Sequence, residues 1–182
     1  EKERVVEVPN KLRAERVDFA SKGNATVLYD YEVGLIGTAG RGTKEVVSIM
    51  RTLDEILIEL DRAPIKNARS AEALLVCRAW TKNDPSESIM RFSDCIKLDS
   101  LARLLGSDAR CFSLRIAPKK FGPNLRTTLD WFDLRIEPLI VNSRYYYLSL
   151  VYRKPLLEEV MLFCEKIEET VLRVLETMEH PA

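Results

Sequence analysis

The sequence predicts an α+β fold: a mainly antiparallel sheet with two long amphipathic helices packed on one face. Three observations point there. Extended runs of alternating polarity recur along the chain, two segments keep a 3.6-residue apolar rhythm, and Gly, Asn and Pro fall between them. Alternation marks strands wet on one side, and sheets of that kind are usually antiparallel. The two apolar helix stripes would cover the dry side.

Taken in order, Val5 to Val8 starts a short strand stopped by Pro9-Asn10. Arg13 to Ala20 and Ala25 to Ile36 are extended runs joined by the hairpin signal Ser21-Lys22-Gly23-Asn24. In the second run Val27, Tyr29, Tyr31, Val33 and Leu35 share one face. Thr43 is placed to cap a helix whose apolar positions Val46, Val47, Met50, Leu53, Ile56, Leu57 and Leu60 repeat to about Arg62, before Pro64. Glu72 to Trp80 reads as a buried strand closed by Asn83-Asp84-Pro85. Ile89 to Leu98 fits helix or strand. Asp99 caps a short helix through Leu105, ended by Gly106, and Arg110 to Ala117 is a strand. Thr128 to Ile140 and Arg144 to Arg153 form a hairpin around Val141-Asn142-Ser143, with Pro138 pointing to an edge or a bulge. Pro155 then opens a single long helix to Met178, with Leu156, Val160, Phe163, Ile167, Val171, Val174 and Met178 facing inward.

With 182 residues, 46% of them hydrophobic, the expectation is one domain over 1–182. Hairpin plus helix occurs twice, at 13–62 and 128–178, as a crude duplication.

The stretch VGLIGTAGRGTKEVV, Val33 to Val47, raises the first functional question. A phosphate-cradling loop needs Gly-Lys-[Ser/Thr] leading into a helix, whereas here the order is Gly42-Thr43-Lys44. One residue along a helix turns a side chain by about 100°, so Lys44 points away from the position such a lysine must hold. What remains is a weaker anion or nucleotide reading at Gly40, Arg41, Gly42, Thr43 and Lys44.

The second question comes from charge. The chain is neutral overall, with 28 basic and 28 acidic residues, but residues 109–157 hold nine basic residues against three acids. From residue 158 onward seven acids face two bases. One reading makes the basic strands a platform for RNA or single-stranded DNA. Arg110, Arg115, Lys119, Lys120, Arg126, Arg144, Arg153 and Lys154 would meet phosphate, and Phe121, Tyr145 and Tyr147 would stack on bases. The favoured reading lays the acidic helix against the basic sheet, in the same chain or in a twin.

Little supports catalysis. The one histidine, His180, lies three residues from the end, so imidazole acid–base chemistry has no candidate inside the fold. Asp133 and Glu137 flank Arg135 on one strand face, which reads as a salt-bridged ladder. Cys77, Cys95, Cys111 and Cys164 are scattered without metal-ligand spacing and read as small hydrophobes. No catalytic residue, metal or cofactor is assigned. No apolar run is long enough to span a bilayer, and the opening EKERVVEV lacks signal-peptide character, so a cytoplasmic location without membrane partners is expected. The functional expectation is a non-catalytic binding or assembly protein, a homodimer joined through a helix face or sheet edge.

Overall fold

The computed structural model describes residues 16–30, 34–59, 69–94, 98–119 and 128–180. Among them lie seven strands and five α-helices, so the α+β class holds. The strands form two antiparallel sheets rather than one. Two compact units, Glu1–Ala63 and Pro64–Ala182, carry one sheet each. The expected strand at Val5 to Val8 lies outside the described residues.

In the first unit β1 (Arg16–Lys22), β2 (Ala25–Asp30) and β3 (Leu35–Gly40) run in the order β1-β2-β3, and α1 (Thr43–Glu59) packs on β2 and β3. The single extended run expected from Ala25 to Ile36 is two strands. Asp30 pairs with Leu35 across a reversal, which moves Leu35 off the strand of Val27 and Tyr29. Gly34, at φ 62°, is the only strong turn-former near that bend, and the alternation runs through it unbroken. Tyr31, Glu32 and Val33 lie outside the described residues.

The glycine-rich stretch is mostly strand. Gly37 and Gly40 belong to β3, and only Arg41-Gly42 links it to the helix. Gly40 pairs with Ala25 so closely that a Cβ there would sit 2.5 Å from the Asn24 carbonyl oxygen and 2.8 Å from Ala25 Cα. Gly42 has φ 102°, and its carbonyl accepts the first helical bond from Val46 N–H at 3.3 Å. Gly42 is therefore the capping position and Thr43 the first helical residue, so the helix starts one place earlier than expected. Val47 and Leu53 are buried along α1, whereas Ile56, expected to face inward, is exposed. A 17-residue helix is about 25 Å long, against the ~20 Å of a six-residue strand.

The second unit orders its strands β4-β7-β6-β5: β4 (Ala71–Trp80), β5 (Leu114–Ile116), β6 (Trp131–Pro138) and β7 (Tyr145–Lys154). Between β4 and β5 come α2 (Pro85–Phe92) and α3 (Asp99–Leu105); α4 (Leu157–Glu165) and α5 (Ile167–Glu179) follow β7. Asp84 caps α2, its carboxylate accepting from Ser86 N–H at 2.7 Å and Glu87 N–H at 3.2 Å, which settles the ambiguous middle as helix there. Pro138 closes an interior strand. The three-residue β5 pairs only with Leu134–Ile136, so no ladder bond is lost at the proline on that side.

Two further expectations change. β4 is an edge strand whose residues alternate between half-buried and exposed, rather than a buried one. The long C-terminal helix breaks at Lys166 into α4, which packs on β4 and β7, and α5, which packs on α2. The break re-phases the buried stripe: Met161 and Leu175 enter it, and Leu156 is exposed. The core joins Leu134, Ile136, Tyr146, Leu148 and Leu150 of the sheet to Ile89 of α2 and to Ile167, Val171, Leu175 and Met178 of α5.

Gly40→Ala is expected to loosen the first unit specifically. Its new methyl meets backbone, which cannot swing aside, at a cost of roughly 1–3 kcal/mol. Hydrogen exchange on the intact chain should show faster exchange in β2 and β3, with the second unit unchanged. Unaltered protection in β2 would refute the close-approach reading.

Candidate functional site

Strand alternation assigns each residue of the four-stranded sheet to one of its two faces. Even-numbered β7 residues Tyr146, Leu148, Leu150 and Tyr152 face the helices. Odd-numbered Tyr145, Tyr147, Ser149, Val151 and Arg153 face away.

Register aligns this outward face in rows. Trp80 lies opposite Tyr145. Arg78, Tyr147 and Glu137 form the next row, then Val76, Ser149, Arg135 and Arg115. Leu74, Val151 and Asp133 follow, and Glu72, Arg153 and Trp131 close the lattice. The face thus carries four arginines and three carboxylates, and most of these charges are matched locally. Arg115 forms a bidentate pair with Asp133, Nε to Oδ1 at 2.8 Å and Nη2 to Oδ2 at 2.7 Å, which holds its guanidinium above the usual arginine range. Arg135 meets Glu137 at 2.6 Å, the ladder expected from the sequence. Arg153 donates from Nε and Nη2 to Glu72 at 2.8 and 2.6 Å, and its guanidinium lies 5.5 Å from the Trp131 ring centre. Exposed pairs of this kind are worth about 1 kcal/mol or less, so they set register and pattern more than stability.

Of the residues proposed for nucleic acid, the structure gathers Arg115, Tyr145, Tyr147 and Arg153 on the outward face. Lys154 points to the other side, bonded to Asp130 at 2.6 Å with its ammonium 5.6 Å from the Tyr152 ring centre. Asp130 is the main reason that amine is held above the usual lysine range. Arg110, Lys119 and Arg144 lie in exposed connections. Lys120, Phe121 and Arg126 lie outside the described residues. The expectation that the acidic helix cancels the basic sheet is corrected in its geometry. Arg115, Arg135 and Arg153 are matched by strand acids Asp133, Glu137 and Glu72, on the face away from α4 and α5.

Sequence reasoning missed the apolar part of this face. Leu74, Val76 and Trp80 on β4 are 69%, 55% and 56% exposed and form a stripe on an edge strand. A signal existed: Glu72 and Arg78 stand an even number of residues from the stripe, which marks that whole set as the wet side.

The helix-clad face holds an apolar cavity of about 260 Å³. Its floor is Leu134, Leu148 and Leu150, and Phe132, Tyr152 and Phe163 wall one part of it. Its roof is Thr170, Val171 and Val174, from the first turns of α5 just past the Lys166 break. The Tyr152 and Phe163 rings stack with centres 3.8 Å apart.

Beside this face lies a part-buried polar knot. The Glu179 carboxylate accepts from the hydroxyls of Thr81 and Tyr146 (the latter at 3.0 Å) and from Asn83 Nδ2 at 2.9 Å. Tyr146 is fully buried, and that burial, reinforced by Glu179 and opposed by Ser88, pushes its phenol up to about 12. Every member has a structural partner, so the knot reads as a fastening.

At the loop proposed for anions, Glu45 of the first helical turn reaches back so that its Oε1 accepts from Asn24 N–H at 3.3 Å. A carboxylate already stands at that positive helix end, next to Arg41 and Lys44. Burial pushes the Cys77 and Cys164 thiols up, which keeps them protonated and weak as nucleophiles. Cys95 lies outside the described residues. Among the described residues no three His, Cys, Asp or Glu side chains converge as a metal requires, and no helix is long and apolar enough to cross a membrane.

Compared with known proteins, the chain matches no family model, no curated protein and no solved structure.

The Tyr146 phenol makes stability depend on alkaline pH. An unfolded tyrosine ionises near pH 10, and the folded one only near 12, so the stabilisation is complete below pH 10 and is lost as pH rises toward 12. Over that window wild type is expected to lose roughly 2–3 kcal/mol more than Tyr146→Phe in denaturant titrations. At pH 7 the variant should itself be about 1–3 kcal/mol less stable, because Glu179 loses a buried donor. Parallel pH profiles for the two proteins would refute the assignment.

Proposed function

We propose that this protein is a binding and assembly module that works as a homodimer, joined by antiparallel pairing of β4 with β4 of a second copy. What supports the reading is the character of β4. It is a ten-residue edge strand without Pro, Gly or bulge, in unbroken register with β7. Natural edges are shortened, charged or covered to prevent pairing, and this one sets the exposed Leu74 and Val76 between Glu72 and Arg78.

The strand is also self-complementary. A two-fold axis through Leu75 sets Leu74 opposite the second copy's Val76, and Glu72 opposite the second copy's Arg78. Each pair occurs twice, as an isologous contact requires. The neighbouring register, with its axis through Val76, would set Leu74 against Arg78 and Glu72 against Trp80, and is poorer on both counts. Pairing would join two four-stranded sheets into one of eight and extend the row of Tyr145, Tyr147 and Val151 across both copies.

Single-stranded nucleic acid is the second reading, favoured by the placement of Arg78, Arg115 and Arg153 beside Tyr145, Tyr147 and Trp80 on one face. Its weakness is electrostatic. Asp133 and Glu72 already hold two of those three arginines, which leaves little charge to release counterions.

Light scattering of wild type is expected to give twice the 20.9 kDa chain mass. Arg78→Glu would set like charges opposite each other twice, about 1 kcal/mol each, and weaken dimerisation roughly thirtyfold. Leu74→Glu should yield folded monomer, since that side chain is mostly exposed within one chain. A wild-type monomer at high protein concentration would sink the proposal.

A further inference from the structure

We infer that the cavity between the four-stranded sheet and the α4–α5 elbow is a binding site for a neutral, largely hydrocarbon small molecule. The inference is independent of dimerisation, because the cavity lies on the opposite face of the sheet from the Leu74–Val76–Trp80 stripe.

Size comes first. The space is a cleft of about 260 Å³, partly open to solvent, large enough to take a small molecule and walled by apolar side chains. A cavity of about 150 Å³ lined by Leu, Ile and Phe stays dry and takes up benzene. By proportion this one suits a molecule of about ten carbon atoms.

Chemistry selects the class. The lining contains no charged side chain, and its polar atoms are limited to the hydroxyls of Thr170 and Tyr152. The Thr170 hydroxyl already donates to the Lys166 carbonyl at 3.0 Å. Ordered water needs two to four polar partners, which these walls do not supply. The charge nearest these walls, the Lys154 ammonium 5.6 Å from the Tyr152 ring centre, is already bonded to Asp130 at 2.6 Å, so a charged ligand seated against them would lack a free counter-charge.

The surroundings keep the space open. Leu148 and Leu150 are held in register by strands on both sides, so the floor cannot rise. The roof is set by the break at Lys166, and α5 is fastened at its far end by Glu179 to Thr81, Asn83 and Tyr146. The Tyr152–Phe163 stack engages the two rings that would otherwise be free to fill the void. A site built this way pays little reorganisation when its ligand enters.

The test titrates n-butylbenzene, a neutral ten-carbon probe, into wild-type protein and into the Leu74→Glu variant, with calorimetry and NMR as readouts. Saturable binding is expected in both, with intermolecular contacts from the probe to Phe132, Tyr152 and Phe163 and a rise in melting temperature. Val174→Phe, which fills the roof, should abolish binding, whereas Leu172→Phe on the exposed side of α5 should leave it unchanged. Decanoate, of the same carbon count but charged, should bind more weakly than butylbenzene. If Val174→Phe fails to fold, the NMR contacts in wild type still decide the location. Flat titration curves up to the probe's solubility, contacts to other residues, or tighter binding of decanoate would overturn the inference.

Discussion

One half-buried carboxylate fastens the second unit together. Glu179, in the last turn of α5, receives hydrogen bonds from Tyr146 in the middle of the sheet and from Thr81 and Asn83 at the link between β4 and α2. The three donors come from segments about 30 to 100 residues away in sequence, so the contact closes the unit on itself. The same link presents Asp84, whose cap starts α2, and α2 in turn supplies Ile89 to the core. Bonded to all three, Glu179 fixes where α5 ends and thereby how α5 lies over the sheet.

That constraint gives β7 two distinct jobs. The strand is flanked on both sides, by β4 and β6, and its side chains alternate without interruption over ten residues. Tyr146, Leu148 and Leu150 bury themselves beneath the helices, while Tyr145, Tyr147, Ser149, Val151 and Arg153 form the spine of the outward face. A one-residue slip would exchange the two sets and bury Arg153. The paired arginines of the outward face oppose such a slip, since Arg153 meets Glu72 across β4 and Arg115 meets Asp133 on β6.

Much of this was legible in the sequence where the signal is local. The hairpin of β6 and β7, the α3 helix with Gly106 at its end, the Asp133–Arg135–Glu137 face and the helix after β3 all follow from alternation, period and turn residues. The failures share a different cause. The bend between β2 and β3 is hidden because alternation continues through it, with Gly34 as its one mark. The helix break at Lys166 falls in CEKIEE, which has neither Gly nor Pro. The two halves pack on different elements, α4 on β4 and β7 and α5 on α2, so the break goes with tertiary packing and not with a local signal. The edge position of β4 depends on strand order, which no local pattern encodes. The cavity is a property of volume left between elements, and Phe132, Tyr152 and Thr170 look like ordinary sheet and helix residues until their neighbours are known.

The charge pattern shows why composition along the chain misleads about partners. Residues 109–157 are strongly basic when counted in sequence, which points to a polyanion. Counted on the folded face among the described residues, only Arg115, Arg135 and Arg153 of that span's basic residues take part, β4 adds one charge of each sign in Arg78 and Glu72, and the balance is four arginines against three carboxylates. Long-range attraction for nucleic acid scales with net charge over a patch, whereas short-range recognition scales with how well neighbouring charges match. A nearly neutral mosaic with an apolar stripe at its edge is poor at the first and suited to the second. Among surfaces that could match it, the β4 strand of an identical copy needs no separate complement, because Glu72 and Arg78 stand symmetrically about Leu75.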